Sequence, residues 1–267
     1  MKSLLTKLFD KSALEAVDEI LSTYHQESFA VVNFIYFSNI VAQRLFEDKD
    51  KTEKEKEYKK ILLKSDFLLP DGIALQLFYF LAKIFRRIEA SRAWLANLNG
   101  TDFVPYFLSE SKKRYGNQKL CVLLYGTKPE FLSKAEEKLK FQGYNVIYTQ
   151  DGYSEFDWET ASQALSEYQD TINILLVARS TPKIPLQELW TSRNYQKIQQ
   201  HQLLVFNTWG LLDFIAWVQK RAPKFWRMIK MERFHRLCTD PKRNFKKVMN
   251  SLQIIPYIFK YLILRKE

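Results

Sequence analysis

Glycine is scarce in this 267-residue chain, with seven residues. That excludes collagen-like repeats and glycine-rich linkers. Cysteine is scarcer still: Cys121 and Cys238 are the only two. Two thiols cannot build a disulfide framework, so a reducing compartment is the natural setting. The three histidines, His25, His201 and His235, are scattered without ligand spacing. No Cys/His/carboxylate grouping has the spacing of a zinc site, so no metal and no cofactor is expected. There is no Walker A motif and no GxGxxG. Long apolar runs are also missing. The longest, Gly72 to Phe85, is interrupted by Gln76 and Lys83 and is too short to span a bilayer. Near the start, Leu4-Leu5 is followed by Lys7, Asp10, Lys11 and Glu15, which is not a signal-peptide pattern. A soluble or peripheral protein is therefore expected.

The chain is rich in core-forming side chains, 46% hydrophobic and 15% aromatic, so it is not of the disordered class. Its length suffices for one α/β domain with a full core, or for one domain and an appendage. The net charge is +11, and the excess is confined to one region. From Lys220 onward there are fourteen Lys/Arg and three acidic residues, while the first 219 residues are balanced. A local cationic field recruits phosphates, whether of nucleic acid, lipid headgroups or a diphosphate-linked substrate. Two units are expected: a domain over residues 1–219 and a basic, aromatic helical appendage over 220–267.

Apolar spacing predicts a helix over residues 4–24, a buried strand from Ser28 to Ile35 and helical character from Asn39 to Phe46. Asp48 to Lys60 is a mixed-charge segment typical of a solvated helix face. Ile61 to Leu69 leads into Pro70-Asp71-Gly72, and a helix follows over 73–85. Then strands and helices alternate: strand Lys119–Tyr125, helix Pro129–Phe141, strand Tyr144–Thr149, helix Trp158–Tyr168, strand Ile172–Ala178 and strand Gln202–Phe206. This alternation predicts a parallel, doubly wound sheet, whose ligands bind at the carboxyl ends of its strands. From Phe214 to Leu264 aromatic and basic residues interleave, divided by Pro223, Pro241 and Pro256. Leu252 to Leu264 is apolar and ends in Arg265-Lys266, a pattern of a membrane-surface helix. The alternative is a helical hairpin packed on the sheet. The tail lacks the spacing of known nucleic-acid modules, and no nucleic-acid partner is expected.

Six short segments carry more specific information. They are Leu69-Pro70-Asp71-Gly72; Asn99-Gly100-Thr101-Asp102 with Val104-Pro105; Leu123 to Gly126; Asp151-Gly152-Tyr153; Leu211-Leu212-Asp213-Phe214 followed by Lys220-Arg221-Ala222-Pro223; and Glu232 to Arg243. In order and spacing they resemble the WecG/TagA/CpsF family of bacterial glycosyltransferases, glycosyltransferase family 26. The resemblance implies a Rossmann-like, mostly parallel sheet flanked by helices (GT-E-like), with a basic helical C-terminal appendage. It implies transfer of a hexose or N-acetylhexosamine, N-acetylmannosamine among them, from a UDP-sugar to a polyprenyl-diphosphate-linked saccharide. The reaction would be inverting and metal-independent, and would work at the cytoplasmic face of the membrane in surface-polysaccharide synthesis.

By the same resemblance, Asp71 is the base that takes the acceptor hydroxyl proton, with Asn33 nearby. Gly72, Thr101, Asp102, Gly126, Gln187, Glu188 and Asp213 would line the donor pocket, and Arg221, Arg236, Arg243 and Lys246 would hold the acceptor diphosphate. Read from the residues alone, Asp71 could equally cap the helix from 73, Thr101 or Asp102 the helix 103–111, and Asp213 the helix after it. The tail arginines could be generic surface charge. There are departures from the family pattern. A Thr-then-Asn pair falls on Asn33 and Ile35, a GVGG segment reads Asn207-Thr208-Trp209-Gly210, and three extra residues precede Gln187-Glu188. Bulky groups in place of glycines alter the donor pocket, so a non-catalytic lipid- or partner-binding relative is the alternative function. Homo-oligomerisation is left open.

Overall fold

The structure, a computed structural model, describes residues 1–47, 51–89, 92–179, 186–216 and 253–264. Six parallel strands form one sheet: β1 (Ala30–Tyr36), β2 (Phe67–Asp71), β3 (Leu120–Gly126), β4 (Asn145–Gln150), β5 (Ile172–Ala178) and β6 (Leu203–Asn207). Their order is β2-β1-β6-β5-β3-β4. Side chains alternate between the two faces of each strand. Ala30, Val32 and Phe34 of β1 pack with Leu204 and Phe206 of β6 under α2 (Ala13–Glu27), α6 (Gly100–Tyr115), α7 (Pro129–Phe141) and α11 (Leu211–Ile215). On the opposite face there are two separate apolar groups. One, around Ile35 and Leu68, is covered by α1 (Lys2–Lys7), α3 (Phe37–Ala42), α4 (Glu53–Lys64) and α5 (Ile73–Ile84). The other, around Val177 and Val205, is covered by α8 (Trp158–Ser166), α9 (Leu186–Arg193) and α10 (Tyr195–Gln200). The predicted parallel α/β sheet is therefore present.

Strand β2 is an edge, and its proline fits that place. The Pro70 carbonyl accepts from Leu98 N–H at 2.9 Å on the outer side. The donor that proline lacks would point the same way, so no ladder bond inside the sheet is lost. The predicted first helix is two helices. The chain extends at Leu8, which bridges Leu68, and Phe9 N–H donates to the Leu68 carbonyl at 2.9 Å. A capping box then starts α2: Glu15 N–H donates to Ser12 Oγ at 3.3 Å, and Ser12 N–H to Glu15 Oε2 at 2.8 Å. The run of apolar residues concealed this stop, because both helices bury the same kind of side chain.

The terminal segment is α12 (Ile254–Tyr257), continued by a π-helical stretch over Ile258–Ile263. It does not stand apart from the domain. Tyr261 and Leu262 are buried in the group around Ile35, with Tyr261 against the Phe46 ring at 5.6 Å. Arg87 donates to the Leu262 carbonyl through Nε at 3.1 Å and Nη2 at 2.5 Å. These residues pack on the domain, while residues 217–252, the rest of the expected appendage or hairpin, lie outside the described residues. Its outer side still exposes Ile255, Phe259 and Leu264, each more than half accessible. Among the described residues, no helix is long and apolar enough to cross a membrane.

Candidate active site

Because all six strands are parallel, their carboxyl ends share one edge, the edge at which open α/β sheets bind ligands. Along it the strand ends follow as Asp71, Tyr36, Asn207, Ala178, Gly126 and Gln150. Asp71 and Gly126 are four strands apart, a span of about 19 Å at the usual strand spacing. The chain leaves β1 toward α3 and leaves β6 toward α11, which lie on opposite faces. A crevice between divergent loops of this kind is a topological switch point.

The first corner lies at the end of β2. Asp71 is half-buried there, paired in register with Tyr36. The N-cap residue of α5 is Gly72, at φ 87°. Gly72 N–H donates to Asn97 Oδ1 at 2.8 Å, which ties residues 95–99 to the strand end. That stretch leads directly into α6, whose N-cap is Asn99: its Oδ1 accepts from Asp102 N–H at 3.0 Å. Thr101 Oγ1 donates to Asn99 Oδ1 at 2.7 Å, and Asn99 Nδ2 donates to Asp102 Oδ2 at 2.9 Å. Neither Thr101 nor Asp102 is the cap, and the helix runs longer than the expected 103–111. Asp71, Gly72, Thr101 and Asp102 are thus gathered at one corner.

The second corner lies at the end of β3. Gly126 has φ 133°, and a Cβ there would lie 2.3 Å from the Ala178 carbonyl oxygen, so only glycine fits. Thr127 N–H donates to that same carbonyl at 3.2 Å, and Gly152 N–H donates to the Thr127 carbonyl at 2.9 Å. The Thr127 hydroxyl donates to the Asp213 carboxylate, joining the β3 turn to α11. Asp213 lies in the first turn of α11, whose N-cap is Gly210. Arg179 donates to the Gly152 carbonyl at 3.1 Å and to the Tyr125 hydroxyl at 2.5 Å, with its guanidinium 5.0 Å from the Tyr125 ring centre. Burial raises the Tyr125 pKa, outweighing the opposing pull of Arg179. Lys128, Pro129, Glu130 and Tyr153 line an open hollow of about 370 Å³ at the start of α7. Gly126 and Asp213 are therefore brought together, through a threonine the motif comparison passed over.

Between the corners, beneath the edge, lies a buried polar group that separates the two apolar groups on that face. Asn33 and Asn207 face each other across the β1–β6 ladder. Asn207 Nδ2 donates to Asn33 Oδ1 at 2.7 Å, and Thr191 Oγ1 donates to Asn207 Oδ1 at 2.9 Å. Gln187 Oε1 accepts from Trp209 N–H at 2.9 Å, and Gln187 Nε2 donates to Glu188 Oε1 at 3.2 Å. Gln187 and Glu188 are both 0% exposed, and Glu188 Oε2 and Asn33 Nδ2 are buried without a hydrogen-bond partner among the described residues. Desolvation raises the Glu188 pKa to about 7. Nearby, Asn39 Nδ2 donates to the buried Tyr58 hydroxyl at 2.8 Å. Burial, then the adjacent Glu188, push the Tyr58 phenol well up. Asn33, Gln187 and Glu188 thus lie under the edge, where they hold it from below. Ile35 faces the apolar group, as a strand residue two positions from Asn33 must.

Above this group sits Trp209, at φ 54°, in the left-handed region that favours glycine. Its ring meets Tyr36 edge-on at 5.5 Å, and its indole N–H is buried with no hydrogen-bond partner among the described residues. Arg221, Arg236, Arg243 and Lys246 lie outside the described residues, as does the expected 219/220 boundary. Among the described residues, no group of three or more His, Cys, Asp or Glu is placed to hold a metal ion. Motif reading passed over Asn97 and Thr127, and gave no role to Asn99 and Asn207, which lie within its segments. One signal was available: an Asn inside each of the apolar strands AVVNFIY and LLVFN.

An independent comparison now decides the family. The model described as "Glycosyl transferase WecG/TagA/CpsF family" matches residues 4–267. The chain belongs to this family. The match extends well beyond the segments that carried the resemblance, reaching α1 at one end and the basic tail at the other. Family membership makes the protein a glycosyltransferase of cell-surface polysaccharide synthesis.

Proposed function

We propose that the protein transfers a hexose or N-acetylhexosamine from a UDP-sugar to a polyprenyl-diphosphate-linked saccharide, with inversion and without a metal ion. The observation that carries this reading is the arrangement of the edge, with a carboxylate at one corner and an anion-suited turn at the other. At the β3 corner, the start of the 13-residue α7, Lys128 and the Arg179 guanidinium offer positive charge and dipole. Such groups favour a diphosphate and the charge it gains on leaving. At the β2 corner, Asp71 is the acceptor's base. It removes the hydroxyl proton, the hydroxyl oxygen bonds to the anomeric carbon, and the carbon–oxygen bond to UDP breaks with its electron pair leaving on UDP. Asn33 supports this end from beneath. Gly72, Thr101, Asp102, Gly126 and Asp213 border the donor, and Gln187 and Glu188 hold the Trp209 backbone under it.

Arg221, Arg236, Arg243 and Lys246 are assigned to the acceptor diphosphate, a task suited to the planar fork of arginine. The apolar side of α12 (Ile255, Phe259, Leu264) and the exposed Ile84 and Phe85 of the α5 end favour contact with the cytoplasmic membrane face. The test is Asp71→Asn, assayed by UDP release with a short-chain polyprenyl-diphosphate sugar. A fall of roughly 10²–10⁴-fold is expected for loss of a general base. Turnover equal to wild type would remove Asp71 from the chemistry.

A further inference from the structure

We propose that Trp209 reads the transferred sugar, its indole N–H donating to a ring hydroxyl of the hexose while Tyr36 walls the same space. The inference rests on the transferase reading above and names what sits at the middle of that site. Three independent observations meet at this residue. The first is position. Trp209 follows β6, which lies beside β1 in the sheet, and its ring touches Tyr36, the register partner of Asp71. A donor with its diphosphate at the Gly126 turn and its anomeric carbon near Asp71 must lay its sugar between them. The β1–β6 crevice is that interval, and it is where the loops diverge to opposite faces.

The second observation is backbone conformation. A bulky residue at φ 54° is uncommon, and such residues persist where the surroundings hold them. Here the hold is identified: the wholly buried Gln187 accepts the Trp209 backbone N–H at 2.9 Å. The buried polar group under the edge therefore holds the backbone turn that carries this ring. The third is the orphaned donor. The indole nitrogen is shielded from solvent and has no acceptor among the described residues. A buried N–H without an acceptor is unfavourable, and a sugar hydroxyl supplies one. Aromatic rings also offer an apolar face to the C–H side of a pyranose. A site that hydrogen-bonds a substrate hydroxyl discriminates strongly against the analogue in which that hydroxyl is absent or turned away.

The experiment compares wild type with Trp209→Phe and Trp209→His, using UDP-glucose, UDP-galactose and their N-acetylated counterparts. UDP release gives kcat/KM for each donor, and calorimetry gives Kd for UDP alone. The expected result is a donor preference in the wild type that collapses at least tenfold in Trp209→Phe, which keeps a ring and loses the N–H. Trp209→His, which restores a ring N–H, should recover part of it, and Kd for UDP should stay within about twofold throughout. A preference unchanged in both variants overturns the inference, as does a loss of UDP affinity equal to the loss in kcat/KM, since that places Trp209 on the nucleotide. If Trp209→Phe does not fold, Trp209→Gly, which the positive φ accommodates, takes its place with the same expectation. A wild type that releases UDP from no donor, with acceptor present, sinks the transferase reading itself, a result distinct from an active enzyme with an unmoved preference.

Discussion

Replacing Glu188 with Gln should change how stability depends on pH. Glu188 is wholly buried on α9, one carboxylate oxygen accepts a bond from Gln187, and the other has no hydrogen-bond partner among the described residues. Tyr58, the titratable neighbour from α4, stays protonated throughout this range and supplies no positive charge. Desolvation raises the Glu188 pKa from 4.5 to about 7. The sign follows from linkage. Between those two values the folded protein holds a proton that the unfolded chain has released, so stability falls as pH rises through this window. At 1.36 kcal/mol per pKa unit, the full loss is about 3 kcal/mol, complete above pH 7. Glutamine keeps the shape and cannot ionise. The stability of Glu188→Gln relative to wild type should therefore rise by about 2 kcal/mol between pH 5 and pH 8. His201 has a pKa lowered by burial and shifts stability in the opposite sense, but it is present in both proteins and cancels in the difference. Urea unfolding of both proteins at half-unit pH steps measures this. A difference flat to within about 0.5 kcal/mol across the range would refute the account, since it would mean the buried carboxylate is neutralised by a partner or reached by water.

Other substitutions probe the same edge. Gly126→Ala should destabilise by roughly 1–3 kcal/mol or more, because its Cβ would meet the Ala178 carbonyl at 2.3 Å; the urea midpoint reads this, and a shift below about 0.5 kcal/mol would contradict the turn geometry. Asn33→Leu and Asn207→Leu should each cost about 1–3 kcal/mol by stranding a buried partner. The double variant should recover a good part of that cost, giving a double-mutant coupling of about 1 kcal/mol or more, and strict additivity would show the pair is not bonded.

Local chemistry was legible from the chain alone. The helix Pro129–Phe141 and the strand Ile172–Ala178 have the bounds that periodicity predicts, and β3 and β6 agree within about a residue. These elements announce themselves because a strand buried on both faces must be continuously apolar and an amphipathic helix must repeat every 3.6 residues. Motif order was enough to name the family and to mark Asp71, Thr101, Asp102, Gly126 and Asp213. α9 and α10 were missed because their exposed and buried residues follow no clear period, α9 burying the polar Gln187, Glu188 and Thr191.

Only the tertiary structure decided which strands are neighbours. β6 lies between β1 and β5, and nothing in its five residues says so. That placement gives Asn33 its partner in Asn207, puts Trp209 beside Tyr36, and lets Thr127 reach Asp213 across 86 residues of sequence. The physical reason is that periodicity is a property of a segment and its own burial. Lateral strand order is set by contacts between residues far apart in the chain, and a buried polar side chain becomes favourable only once the fold supplies the other half of its hydrogen bond.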